Sequence, residues 1–187
     1  MLTMPRNPAE LAQKLAVELD ARKIDYAIGG ALALGFWGEP RGTLAVDITL
    51  FVSPAKPTNC VNLLLDIHCD LEPADALDSL SEHGFCKVAM EGTTVDIFLP
   101  IVDFYETARL RRRSVRLGRR NIWIWDAESL VIFKMMFFRR KDLADVEQIL
   151  RQRGNHFDRP FVRNELVKLY GQRDPRIGAW DDLTSEQ

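Results

Sequence analysis

Asp47 and Asp96 sit where carboxylates are expensive. Each lies inside an otherwise apolar run, residues 46–52 in one case and 93–99 in the other. An ionised carboxylate in such a strand must be paired or bound to a metal. Two readings of Asp47 stay open on this ground: a strand-edge Asp partnered by Arg41, or a cation ligand. If the two strands are neighbours in one sheet, Asp47 and Asp96 offer hard oxygen ligands to a divalent ion. Two carboxylates alone are lean for a catalytic magnesium pair, which usually takes further oxygens and the substrate phosphates. Upstream, Gly29-Gly30 follows the apolar Tyr26-Ala27-Ile28 and precedes strong helix formers from Ala31. A turn without side chains lets backbone N–H groups approach an anion at a helix N-terminus, and equally serves as a plain tight turn.

Other charged residues stand out by their neighbours. Lys134 is flanked by Val131-Ile132-Phe133 and by Met135-Met136-Phe137-Phe138, which argues against a freely exposed lysine. Asp142 and Asp145 are three apart and share a helix face. A helix cap at Asp142 and a Lys141–Asp145 pair are the plainer alternatives. Arg109, Arg111, Arg112, Arg113, Arg116, Arg119 and Arg120 are too many for one nucleotide. They suit an RNA backbone, with solvent-facing hairpin positions as the competing reading for about half of them. His68, His83 and His156 have no metal spacing. Cys60, Cys69 and Cys86 are odd in number without a C-x-x-C pair, so a reducing compartment, the cytoplasm, is expected. Trp37, Trp123 and Trp125 are expected in the core, with Trp123 and Trp125 also able to offer a stacking surface.

The pattern also predicts the elements that position these residues. Asn7 and Pro8 start a helix running to about Ala21, with Leu11, Leu15 and Leu19 as its buried stripe. Residues 26–37 read as strand, glycine turn and helix, followed by a loop at 38–42 and the strand carrying Asp47. Residues 58–83 read as helical with a break near Pro73. Residues 85–90 and 93–99 form a hairpin turned at Glu91-Gly92, and 114–117 pairs with 121–125. Helices are expected at 127–138, 142–152 and 159–170, with an irregular polar tail from Gly171. Strands come first and helices last, so the class is α+β. The expected division is a sheet domain with its N-terminal helix over 1–125 and a helical part over 126–187, packed as one unit.

With 47% apolar and 28% charged residues, the chain of 187 residues is neither disordered nor of low complexity. The longest apolar runs are too short to cross a bilayer, and the first residues show no leader pattern. The net charge of −2 hides an asymmetry. Residues 1–108 carry 7 Lys/Arg against 16 Asp/Glu, residues 109–173 carry 17 against 7, and residues 174–187 carry 1 against 4. A basic second half suits phosphates or nucleic acid.

Taken together, Gly29-Gly30, Arg41-x-Thr43, the strand of Asp47 and the strand of Asp96 resemble the nucleotidyltransferase superfamily with the polymerase-β-like fold. The stretch from Asp126 through Lys134 to Arg139-Arg140-Lys141-Asp142-x-x-Asp145 is similar to AbiEii-type and related minimal nucleotidyltransferases, bacterial proteins of which several are toxins of toxin–antitoxin pairs. The resemblance covers about residues 24–152. It implies a mixed sheet flanked by helices and transfer of NMP from an NTP to an acceptor such as RNA or tRNA, with an antitoxin as possible partner. It further implies two Mg²⁺ ions on Asp47 and Asp96, with Asp96 as general base. Gly29, Gly30, Arg41, Thr43 and Lys134 would hold the triphosphate, with Asp142 and Asp145 beside them and Asp145 orienting Lys134. Arg111, Arg112, Arg113 and Arg116 would hold the RNA. One position departs from the pattern Arg-x-Thr-x-Asp-x-Asp: Ala45 stands where the first Asp belongs. A native pseudoenzyme and an engineered Asp→Ala variant both fit, and the persistence of the other motif residues favours the variant. A non-catalytic nucleotide- or RNA-binding protein and an antibiotic- or protein-modifying transferase are the alternatives in function.

Overall fold

The computed structural model describes residues 7–185. The segment read above for a leader falls at residues 1–6, outside the described residues. Helix α1 (Pro8–Ala21) starts where Asn7 accepts a hydrogen bond from the Ala9 N–H, and it buries Leu11, Leu15 and Leu19. Strand β1 (Tyr26–Ile28) is buried throughout and runs through Gly29 into α2 (Gly30–Trp37). Next come β2 (Ala45–Leu50), α3 (Pro57–Asp66) and α4 (Pro73–His83), broken as the proline predicts. Strands β3 (Phe85–Met90) and β4 (Thr93–Phe98) form the first hairpin.

Six strands make one mixed sheet in the order β3-β4-β2-β1-β6-β5, where β5 is Arg113–Leu117 and β6 is Arg120–Ile124. Strand β2 runs parallel to β4 and antiparallel to β1, and β1 runs parallel to β6. Helix α6 (Ala127–Phe137) is capped by Asp126, which accepts from the Ser129 N–H. It is buried on nearly every side, so it shows no amphipathic stripe. Helices α7 (Arg140–Arg153) and α8 (Arg159–Tyr170) follow. One apolar cluster runs from Leu11 on α1 to Trp180 near the C-terminal end, joining sheet and helices.

Two elements depart from the sequence reading. Helix α5 (Phe104–Arg111) lies inside the stretch dominated by arginines and buries Phe104, Tyr105 and Ala108. Its apolar face is short, and the charge run masks it. The tail is not irregular: α9 (Pro175–Ser185) buries Ile177 and Trp180, the latter against Phe157. Each such side chain contributes about 1.5–3 kcal/mol on leaving water, which suffices to order a short polar helix against the body.

Candidate active site

The parallel pairing of β2 and β4 sets Asp47 directly beside Asp96. Across the next ladder, Lys87 of β3 stands opposite Asp96, and its Nζ lies 2.9 and 3.2 Å from the two carboxylate oxygens. Above Asp47 lies the glycine turn. Gly29 donates its N–H to the Asp47 carbonyl at 2.9 Å, and Gly30 has φ +54°. A Cβ on Gly30 would overlap the Asp47 carboxylate, so this residue is fixed by conformation and by space alike. Burial, and then the neighbouring Asp96, push Asp47 above the ordinary carboxylate range. Two like charges side by side in a sheltered place favour a bound cation or a proton.

Helices α6 and α7 bring the positive charge. Lys134, 5% exposed, donates to Asp145 Oδ2 at 2.5 Å. Arg41 reaches the same carboxylate with Nε at 3.2 Å and Nη2 at 3.1 Å. Burial works against the Asp145 charge, yet the hydrogen bonds from Arg41 and Lys134 hold its carboxyl below the usual range. Asp145 therefore pairs with Arg41 and Lys134, not with Lys141. Arg41 is likewise not the partner of Asp47. Asp142 closes the first turn of α7: it accepts from the Arg139 N–H, and the Arg139 guanidinium grips it at 2.6 and 3.2 Å. The capping alternative for Asp142 is thus the observed one, although the residue also lines the cavity. Thr43 Oγ1 donates to the Ala45 carbonyl and accepts from the Ala45 N–H, so its side chain is spent on the start of β2.

These residues surround one cavity of about 180 Å³. Gly29, Gly30, Arg41, Thr43, Ala45, Asp47, Asp96, Lys134 and Asp142 line it, and Asp145 lies just behind as the shared counter-ion. Sequence reasoning missed three groups. Lys87 was legible, because counting back across the Glu91-Gly92 turn places it opposite Asp96. Arg139 and Lys141 also line the cavity. The far wall is aromatic, formed by Phe98, Tyr105, Trp125, Phe133 and Phe137, and no local pattern brings these five together.

The basic stretch is used differently from the expectation. Arg111 bonds buried Asp126 and Glu128 and lies over the Phe161 ring. Arg112 bonds Asp25 and the Tyr26 carbonyl and covers Trp123. Arg109 bonds Asp25 and Glu106. These side chains fasten α5 and the β5–β6 hairpin to the body, so Arg111 and Arg112 do not present free guanidinium groups to a phosphate chain. Arg113 and Arg116 are exposed, and Arg116 Nε bonds only the nearby Gly118 carbonyl. Trp125 is buried and Trp123 half-buried under Arg112, so the stacking surface expected of this pair is covered.

A divalent cation can be tested against this donor set. Among the described residues there is no group of three or more His, Cys, Asp or Glu placed to hold a metal. Asp47 and Asp96 fit one hard cation completed by phosphate oxygens. Two residues before Asp47 on β2, Ala45 lines the cavity with a methyl group and adds no oxygen ligand.

No family model and no curated protein matches the sequence. Among solved structures, the chain is similar to the solution structure of the antibiotic-resistance factor ANT(2'')-Ia, with 11% identity and a TM-score of 0.59 over 96% of this chain and 97% of the other. The crystal structure of ANT(2'')-Ia with adenylyl-2''-tobramycin gives 12% identity and a TM-score of 0.53 over 95% and 97%. The lincosamide antibiotic adenylyltransferase LnuA, lincomycin-bound, gives 13% identity and a TM-score of 0.52 over 77% and 98%. The α+β architecture, a mixed six-stranded sheet flanked by helices, is the nucleotidyltransferase fold.

Proposed function

We propose that this chain binds an NTP at the Gly29-Gly30 turn and is built for transfer of NMP to an acceptor hydroxyl, in a form weakened at Ala45. The observation that carries this reading is the convergence of adjacent Asp47 and Asp96, the Gly30 turn and the Arg41–Asp145–Lys134 group on one cavity. With the Gly29 N–H held by the Asp47 carbonyl, the N–H groups at the start of α2, from Gly30 on, are the ones directed at β- and γ-phosphates. Lys134 and Arg41, held in place by Asp145, supply positive charge to the same phosphates. Asp96 takes the proton of the acceptor hydroxyl. The acceptor oxygen then bonds to the α-phosphorus as the bond to the bridging oxygen breaks and pyrophosphate leaves. A Mg²⁺ ion held by Asp47 and Asp96 would neutralise the triphosphate and orient it for that displacement. For the acceptor, the internal pairing of Arg111 and Arg112 favours a small molecule over RNA or tRNA, in keeping with the antibiotic-modifying names of the structural neighbours.

A second reading, nucleotide binding without transfer, is favoured by one observation: Lys87 already neutralises Asp96 while Ala45 supplies no carboxylate. The two readings separate on Ala45→Asp. If transfer is the built-in chemistry, this variant gains Mg²⁺-dependent labelling of an acceptor from radiolabelled NTP, and the parent shows little. If Ala45→Asp neither tightens Mg²⁺–ATP binding nor labels any acceptor, the binding-only reading stands. In either case Lys134→Ala should weaken ATP binding by about 1.5–3 kcal/mol, the range for a charged hydrogen bond.

A further inference from the structure

The cavity changes character along a single face of the sheet. Residues two apart on a strand share a face. On β2 and β4 the carboxylate pair Asp47/Asp96 is followed by the neighbouring pair Thr49/Phe98. Beyond that step the wall is formed by Tyr105, Trp125 and Phe133, with Phe133 4.8 Å from each of the other two rings. Phe137 closes the rim 5.9 Å from Phe98 and is 50% exposed. The cationic residues Arg41, Lys134, Arg139 and Lys141 line the same cavity, with the Arg139 guanidinium 4.9 Å from the Phe137 ring at the rim. The aromatic part carries two polar groups, the Tyr105 hydroxyl and the Trp125 indole N–H. Trp125 is 3% exposed and lines this cavity, and its Nε1–H has no hydrogen-bond partner among the described residues. A Cβ on Gly29 would come within 3.3 Å of that nitrogen, so the indole stands directly behind the phosphate-side turn.

We infer that the aromatic wall is the acceptor subsite, and that it takes a small uncharged molecule with a planar or apolar body, a hydroxyl and a hydrogen-bond acceptor for the Trp125 indole. This inference rests on the transfer reading above, since it is the acceptor hydroxyl that Asp96 addresses. A hydroxyl held at Asp96 has its carbon body over Phe98, two residues on along the same face. The Arg139 guanidinium lies over the Phe137 ring at the rim, but among the described residues no cation lies over the inner rings Tyr105, Trp125 and Phe133, so a phosphodiester charge against those rings is unfavourable. A neutral ring gains both burial and ring-on-ring contact. Its acceptor atom takes the Trp125 indole N–H, which has no protein hydrogen-bond partner among the described residues.

The test titrates the full chain with p-nitrophenyl β-glucoside, a neutral ring bearing hydroxyls whose nitro group quenches nearby tryptophan emission. Quenching is expected, and methyl β-glucoside, lacking the ring, should compete far more weakly. Neither an oligouridylate nor ATP should displace the probe. Phe137→Ala, at a half-exposed site that the fold tolerates, should weaken binding by about fivefold, the size of one aromatic contact. Trp125→Phe should remove the quench, assigning it to that indole among the tryptophans. Displacement by oligouridylate, displacement by ATP, an unchanged affinity in Phe137→Ala or a quench persisting in Trp125→Phe would each overturn the subsite. Failure of ATP to bind while the probe still binds would instead sink the nucleotide reading and leave the neutral-ligand site supported.

Discussion

The cleft and the basic stretch at 109–120 both set cations against carboxylates, in opposite proportion. Around Asp145 in the cleft Arg41 and Lys134 share one carboxylate, so positive charge is in local excess there, while Asp47 and Asp96 form a separate acidic pair. At the start of the basic stretch Arg109, Arg111 and Arg112 meet four carboxylates, Asp25, Glu106, Asp126 and Glu128, and little is left over there, while Arg113, Arg116, Arg119 and Arg120 beyond them are exposed. The first arrangement is poised to receive an anion; the second holds a helix and a hairpin in place. Counting arginines along the chain cannot separate them. The ratio of charge to local counter-charge can.

The largest expected effect is at the shared carboxylate. Asp145→Ala leaves Lys134 buried without a partner and should cost about 3–5 kcal/mol in urea unfolding. A loss under about 1 kcal/mol would mean Lys134 is solvated, and the contrast between the regions would fail. The same residue sets an acid limit. Its folded-state pKa lies below the ordinary value, so its contribution is complete above about pH 4 and disappears as pH falls through the lower folded value. Stability of the parent should therefore decline in that acid window, and Asp145→Asn, already destabilised, should decline less there.

Arg111→Ala comes next. It uncovers the buried Asp126 carboxylate, though part of the Arg111 side chain is exposed, so about 2 kcal/mol is expected. A neutral outcome would free Arg111 for a ligand and revive the RNA acceptor. Asp47→Asn should move the other way, raising stability by about 1 kcal/mol at neutral pH. The sign follows from its raised pKa: protonation helps the fold at low pH, and that help is lost as pH rises through the folded value. Thermal unfolding of this variant beside the parent decides the matter, and a lower midpoint would show that the Asp47 charge is already compensated. The smallest effect belongs to Arg113→Ala and Arg116→Ala, each within about 0.5 kcal/mol of the parent because neither makes a buried contact. If this pair also leaves the salt dependence of oligouridylate binding unchanged, Arg113 and Arg116 face solvent and hold no RNA backbone.

Much of this site is legible in the sequence. Asp47 and Asp96 betray themselves by polarity inside apolar runs, and the glycine turn by following one. The strand, turn and helix boundaries around them were close, because glycine, proline and β-branched residues act locally. What escaped was set by tertiary neighbours. Nothing in the sequence near Asp25 says that it receives Arg109 and Arg112, for they arrive from some 85 residues away. The aromatic wall is assembled from β4, α5, the end of β6 and α6, and no window of sequence contains it. The α9 error has a different origin: Ile177 and Trp180 stand three apart after Pro175, a helical pattern outvoted by polar company.

Arg176, at the start of α9, reaches back to the end of α6, where Nε meets the Met135 carbonyl at 3.0 Å and the guanidinium lies over the Phe138 ring. That carbonyl belongs to the residue following Lys134. During synthesis the sheet strands, the glycine turn and both aspartates emerge more than fifty residues ahead of this clasp. The last turn of the helix bearing Lys134 therefore gains this partner only after every other residue of the cleft has been synthesised, although the Phe138 N–H already closes that turn on the Lys134 carbonyl.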